Sequence, residues 1–299
     1  MKLEGVVLSA TGGRYRTLAG GAEVIASLRG RLKRGPDGVV VGDRVTLAVH
    51  RDGSTTIERI HERQTVLKRR QPGGRRGTRV IAANIEQVIV MCAADQPAWD
   101  PQLTDRFLAV AEANGLPATL VINKCDLCAD PEPLVAPYRK AGYQVHPISV
   151  ARGLGLDRMR ALLEGHVSLL TGPTGVGKSS LLNALEPGLR LRTREAGRRG
   201  GRHTTVAAEM HRFGTSGMVV DTPGLSDIAL WGLDPLEVAR AFPEFSQFAT
   251  GCRFDNCRHT TEPGCAVRLA AERNDISPTR LASYRQMLEE ALAAARHWE

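Results

Sequence analysis

One octapeptide restricts the possible folds of this chain more than any other feature: residues 172–179 read GPTGVGKS. It follows the strand-like run VSLLT at 167–171 and precedes the helical run SLLNAL at 180–185. Across Gly172, Pro173, Thr174, Gly175, Val176 and Gly177 the glycines let backbone amides turn inward at a helix N-terminus, where they cradle phosphate oxygens. Lys178 is placed to reach the β- and γ-phosphates, Ser179 to ligate Mg2+, and Ser180 to add a hydroxyl at the same end. A strand entering such a loop and a helix leaving it belong to an α/β sheet. The bland alternative, a chance glycine-rich turn, would need both flanking elements to be coincidental.

The surrounding pattern fits. Buried-type strands at 88–94, 119–122, 145–148, 167–171 and 218–221 alternate with helical stretches, one from about Leu103 to Asn114, giving a mostly parallel sheet with helices on both faces. Asp221 opens DTPG at a strand end, where its carboxylate can hold the metal through water and the Gly224 amide can sense a γ-phosphate. Asn123, Lys124, Cys125 and Asp126 form NKCD at another strand end. A carboxylate at Asp126 accepts two hydrogen bonds from guanine that adenine cannot donate, so the pattern favours GTP over ATP. Ser149, after the strand at 145–148, is the candidate for a loop contacting the guanine carbonyl. Residues 190–205, rich in Arg and Gly, read as a mobile loop that orders when a threonine joins Mg2+ and the γ-phosphate. Thr205 is the threonine expected there and Thr204 the alternative; an ordinary surface loop is the competing reading. Because NKCD precedes the phosphate loop by about 50 residues, the domain is circularly permuted relative to Ras-like GTPases.

Charge divides the chain. Residues 1–80 hold 17 Lys and Arg against 7 Asp and Glu, whereas the whole chain is only +8. A local excess points to a polyanion partner, against the plainer reading of a solvated basic face. Within residues 6–60 short β-rich runs are broken by glycine turns, which suggests a small β-barrel of the oligonucleotide-binding (OB) or SH3-like kind. Residues 68–79, KRRQPGGRRGTR, read as a mobile basic linker able to order on a phosphate backbone. The longest apolar stretches are too short to span a bilayer and MKLEG opens no signal peptide, so a cytoplasmic protein without a membrane partner is expected.

Cys252, Cys257, His259 and Cys265 give the spacing C-x4-C-x-H-x5-C, a closed tetrahedral donor set suited to one structural Zn2+ rather than to catalysis. Reduced cysteines beside an unrelated histidine are the alternative. Cys92, Cys125 and Cys128 sit singly near strands and read as small buried thiols. A final helix opens at Ser277 and Pro278 and repeats Leu281, Tyr284, Leu288, Leu292 and Ala295 at helical spacing, a packing helix.

Taken together, the barrel, AANIEQ at 82–87, NKCD, GPTGVGKSSLLN, GRHTT, DTPG and the cysteine cluster closely resemble the circularly permuted, small-ribosomal-subunit-dependent GTPases, the RsgA or YjeQ family. The resemblance implies an OB-type RNA-binding domain at 1–67, the basic linker at 68–79, a permuted phosphate-loop GTPase domain at 80–231 and a mostly helical zinc domain at 232–299. It also implies Mg2+-dependent GTP hydrolysis stimulated by the small ribosomal subunit, a role in that subunit's late maturation, contact with its rRNA, and action as a monomer. Ser149-Val150 departs from the usual Ser-Ala, which bears on the base loop.

Leu225 follows DTPG where Ras-type proteins carry a water-orienting glutamine, so intrinsic hydrolysis should be slow and a partner should complete the site. By the resemblance, His203 positions the water, and the catalytic set is His203, Thr205 and Lys178. The permutation also suggests that nucleotide state tilts the zinc domain through the segment after Asp221. A lipid partner for the basic segment finds no amphipathic basic helix or lipidation signal. A vestigial nucleotide site is at odds with intact Lys178, Ser179, Asp221 and Asp126.

Overall fold

The computed structural model describes residues 1–28, 38–70, 78–189, 191, 208–221 and 233–296. Five strands form the N-terminal barrel: β1 (Lys2–Thr11), β2 (Arg14–Ala19), β3 (Ala22–Leu28), β4 (Arg44–Val49) and β5 (Thr55–Ile60). They close in the order β1-β2-β3-β5-β4, with β1 antiparallel to both β2 and β4 and β3 parallel to β5. That order is the OB arrangement and sets aside the SH3-like alternative. Val7, Ala26, Val45, Leu47 and Ile57 fill the interior.

The expected linker is partly strand. β6 (Val66–Arg70) and β7 (Thr78–Ala83) form an antiparallel pair, Val66 opposite Ala83 and Leu67 opposite Ala82. The reason is apolar: Leu67, Val80, Ala82 and Ala83 are all buried, an inward face that the flanking arginines conceal in composition. Residues 71–77 of that segment lie outside the described residues. Asn84 follows in the left-handed region, φ 56°; its Oδ1 accepts from Gln64 N at 2.9 Å and its Nδ2 donates to Gly42 O at 2.8 Å.

The α/β part comprises β8 (Gln87–Ala93), α1 (Pro101–Ala113), β9 (Ala118–Asn123), α2 (Glu132–Lys140), β10 (Gln144–Pro147), α3 (Leu156–Leu163), β11 (Val167–Thr171), α4 (Lys178–Leu185), β12 (Glu209–Phe213) and β13 (Gly217–Asp221). Its strand order is β10-β9-β8-β11-β13-β12. β9 is parallel to β8 and β10, and β11 is parallel to β13; β12, absent from the sequence reading, adds an antiparallel edge. Strand cores such as Ile89, Val90, Met91, Leu120, Val121 and Ile122 are wholly inaccessible, as strands covered on both faces must be. α1 begins slightly earlier than its apolar spacing indicates, because Asp100 caps it by accepting from Leu103 N at 3.0 Å and Pro101 pre-sets its first turn.

The C-terminal lobe holds α5 (Pro235–Arg240), α6 (Ser246–Ala249), α7 (Ala266–Glu272) and α8 (Pro278–Arg296). The capping box of Asp234 and Glu237 starts α5. The chain divides into two compact units, Met1–Gln87 with Ala161–Leu170 and Arg199–Leu225, and Val88–Arg160 with Thr171–Arg198 and Ser226–Glu299. Both guanine-side motifs, the phosphate loop and the cysteine cluster lie in the second unit, and Asp221 lies in the first.

Candidate functional site

The phosphate loop leaves β11 and enters α4, so the N-terminal amides of that helix open onto the loop. Two glycines are obligatory. Gly172 has φ +139°, and a Cβ there would stand 1.9 Å from Met91 O on β8. Gly177 has φ +102°, with a notional Cβ 2.5 Å from Asn123 Nδ2. Lys178 Nζ donates to Gly172 O at 2.7 Å and Pro173 O at 2.8 Å, which folds its ammonium back over the loop. Val176 is buried beneath; Thr174 is exposed, and Gly175, Ser179 and Ser180 are half-buried.

NKCD is tied to that loop by its own side chains. Buried Asn123 donates from Nδ2 to Val176 O at 2.9 Å and accepts from Val150 N at 3.0 Å. Lys124, left-handed at φ 62°, donates to Gly175 O at 2.9 Å and also to Gln96 O. Asn123 and Lys124 therefore hold the base loop against the phosphate loop, and the neighbouring Asp126 stays exposed, with Ser149 Oγ donating to its carboxylate. Ser149 is fully buried and also accepts from Arg152 N at 3.1 Å. The Ser149-Val150 departure loses its force here, because Asn123 uses the Val150 amide, which any residue except proline supplies. Asp221 is buried at the end of β13, in register with Leu170 on β11. His203, Thr204, Thr205, Gly224 and Leu225 lie outside the described residues.

The cysteine cluster assembles as its spacing implies. The donor atoms of Cys252, Cys257, His259 and Cys265 all lie within 4.8 Å of one another. Cys252 Sγ is 3.6 Å and Cys265 Sγ 3.4 Å from His259 Nδ1, and the two sulfurs are 4.0 Å apart. Tetrahedral zinc bonds of about 2.0–2.3 Å place neighbouring donors roughly 3.5–3.8 Å apart, so the set fits that ion. Burial and the neighbouring thiols push Cys257 up to about 12. Burial alone would raise Glu262, but backbone amides, among them those of Arg258 and Thr260, bring it down to about 2. That carboxylate folds the loop carrying His259.

A family model described as RsgA GTPase matches residues 60–231. The chain belongs to the RsgA GTPase family. An RsgA relative from Gemmatimonas aurantiaca, named small ribosomal subunit biogenesis GTPase RsgA, is 48% identical over 96% of this chain and 97% of its own length. An identically named RsgA protein from Moorella thermoacetica is 39% identical over 98% of this chain and 99% of its own. Among solved structures, YjeQ from Thermotoga maritima superposes with a TM-score of 0.79 at 31% identity, covering 98% of this chain and 99% of its own. YloQ, described as a circularly permuted GTPase, gives 0.74 at 27% identity, covering 98% and 96%. The RsgA membership and the observed motif order agree that the GTPase domain is permuted.

One buried constellation in this RsgA chain escaped the sequence reading. Arg280 of α8, 1% exposed, donates from Nη1 to Asp105 Oδ1 of α1 at 2.7 Å and from Nη2 to Glu244 Oε2 at 3.0 Å, with Nε also on Glu244. The rings of Phe242, Tyr143 and Tyr138 stand 4.9, 5.3 and 5.5 Å from its guanidinium carbon. A signal existed: Arg280 lies four residues before Tyr284 and seven before Met287, on the apolar row of α8.

Proposed function

We propose that this chain hydrolyses GTP to GDP and phosphate with Mg2+ and acts in biogenesis of the small ribosomal subunit, which stimulates its turnover. The observation that carries the reading is the Asn123–Val176 and Lys124–Gly175 tie, which fixes an exposed Asp126 beside a phosphate loop. Asp126 selects guanine, the loop amides and Lys178 hold the phosphates, and Ser179, Thr205 and Asp221 serve the Mg2+ side. Bound Mg2+ neutralises charge building on the transferred phosphoryl group. The named relatives supply the ribosomal context. Leu225 cannot orient water, so His203 takes that role when the subunit docks.

The basic OB barrel, residues 1–67, and the 68–79 segment meet rRNA by charge and shape, the GTPase domain spans 80–231, and residues 232–299 are built on one structural zinc ion. No helix among the described residues is long and apolar enough to cross a membrane, and we infer a monomer working in the cytoplasm. GTP turnover measured with and without purified small subunits tests the proposal. Strong stimulation that His203→Ala abolishes supports it; equal rates in both conditions, or no turnover in either, refute it.

A further inference from the structure

We propose that Cys125 and Cys128 are a dithiol oxidation site inside the guanine-reading loop, closed by a peroxide to an intraloop disulfide that weakens guanine binding. The inference rests on the guanine-binding reading above and adds a means of regulating that site. Its ground is placement. Cys125–Leu127 form a single 3-10 turn closed by Cys128 N donating to Cys125 O. In such a turn residues i and i+3 eclipse, and three steps of about 2.0 Å set their Cα atoms roughly 6 Å apart. Disulfides tolerate roughly 4.4–6.8 Å. Both thiols are partly exposed, unlike Cys92, which is sealed beside Thr104. Each thiol donates to a nearby backbone carbonyl, Cys125 to Ile122 O at the end of β9 at 3.1 Å and Cys128 to Cys125 O at 3.4 Å. Burial first, and then the adjacent Cys128 sulfur, push Cys125 up to about 11, which agrees with two sulfurs in close approach.

The chemistry balances with hydrogen peroxide as oxidant. Because Cys125 is held as a thiol, the first step falls to Cys128. Its sulfur attacks one peroxide oxygen, the O–O bond breaks, and hydroxide leaves with the thiol proton as water, giving a sulfenic acid. The Cys125 sulfur then attacks the Cys128 sulfur, the S–O bond breaks, and the departing hydroxide takes the second thiol proton as water. Two thiols lose two electrons and one peroxide becomes two waters.

Closure acts on the guanine side because Asp126 is the middle residue of the turn. Forming the S–S bond draws Cys125 Sγ away from Ile122 O and rotates the turn. Asp126 then leaves the orientation that Ser149 supports, and Lys124 is strained against Gly175 O.

The test uses the full-length, zinc-loaded protein with a fluorescent GDP analogue, reduced, then treated with hydrogen peroxide, then re-reduced with dithiothreitol. Peptide mass spectrometry reports on the Cys125–Cys128 link. We expect the treated protein to bind GDP roughly tenfold or more weakly, the loss that misaligning one hydrogen bond to a charged group produces. Reduction should restore binding, and Cys128→Ser and Cys128→Ala should bind normally and ignore peroxide. Absence of the link, a link without loss of affinity, or equal loss in both Cys128 variants overturns the inference. Failure of the reduced protein to bind GDP would instead overturn the guanine-binding reading itself.

Discussion

Replacing Arg280 with methionine should be strongly destabilising although it touches neither a nucleotide loop nor the cysteine cluster. Methionine keeps much of the packing against Phe242, Tyr138 and Tyr143 but leaves Asp105 and Glu244 without their shared cation in a site where all three charged residues are buried. Removing one partner of a buried ion network costs about 3–5 kcal/mol. Loss of the guanidinium–ring attraction adds about 0.5–1 kcal/mol or more. Against a usual stability of about 5–15 kcal/mol, that is roughly a quarter of the total or more. The loss should depend on pH. Burial holds the Asp105 carboxyl above the ordinary aspartate range even with Arg280 beside it, and the variant lacks that lowering influence. The folded variant therefore binds the Asp105 proton more tightly than both its unfolded chain and the wild-type fold. Its deficit should be greatest at neutral pH and shrink as pH falls into Asp105's raised titration range. Urea unfolding followed by circular dichroism at neutral and mildly acid pH reads this directly. The variant Arg280→Met with Asp105→Leu and Glu244→Met, which removes every charge, should recover most of the loss. A deficit under about 1 kcal/mol, a deficit indifferent to pH, or a charge-free variant no better than the single one would refute the reasoning.

Other perturbations address the site itself. Asp126→Asn replaces an acceptor pair by an amide and should cost about a thousandfold or more in GTP affinity, with partial recovery on xanthosine triphosphate, whose base carries an oxygen in place of the exocyclic amine; titration with fluorescent nucleotides checks it, and unchanged GTP affinity would sink it. Gly172→Ala forces a Cβ to within 1.9 Å of Met91 O at φ +139°. It should cost about 1–3 kcal/mol of strain and remove nucleotide binding while the far-ultraviolet spectrum stays native. Chelation of one zinc equivalent, or Cys257→Ser, should unfold the C-terminal lobe, since structural zinc supplies about 10–16 kcal/mol in comparable small modules; loss of helical circular dichroism on adding chelator checks it.

The strand–loop–helix at 172–179 and the cysteine cluster were legible because both are local: spacing alone brings Cys252, Cys257, His259 and Cys265 within reach, and the runs on either side define residues 172–179. Long-range pairing was not legible. The parallel β3–β5 contact of Ser27 with Thr56 distinguishes an OB barrel from its alternative, and no local pattern encodes it. β7 was hidden because its first residues, Thr78 and Arg79, fall in the 68–79 stretch read as linker, which left the buried Val80 and Ala82 without a strand to belong to. β12 was hidden because only Met210 and Phe213 of its five residues are buried, which breaks the alternation expected of a half-buried strand. Arg280 drew no reading because its two partners are 36 and 175 residues distant in sequence.

Arg280 also bears on how nucleotide state can move the C-terminal lobe. A tilt of the lobe alone would separate α8 from α1, breaking Arg280 from Asp105 and Arg106 from Glu290. It would also withdraw Ala109 of α1 from the cluster that holds Val238, Phe242, Phe245 and Tyr284. Stranding one buried charge already costs about 3–5 kcal/mol, comparable to the roughly 5.5 kcal/mol of differential binding a ligand needs to invert a two-state equilibrium. The lobe is therefore no free arm pivoting on the segment after Asp221. It moves, if nucleotide moves it, together with α1. The segment ahead of α1 carries Gln96, whose carbonyl accepts from Lys124 of the guanine loop. A partner docked on that lobe would then bear on Lys124 through α1 and Gln96, and by thermodynamic reciprocity nucleotide binding should change the affinity of that docking by the same factor.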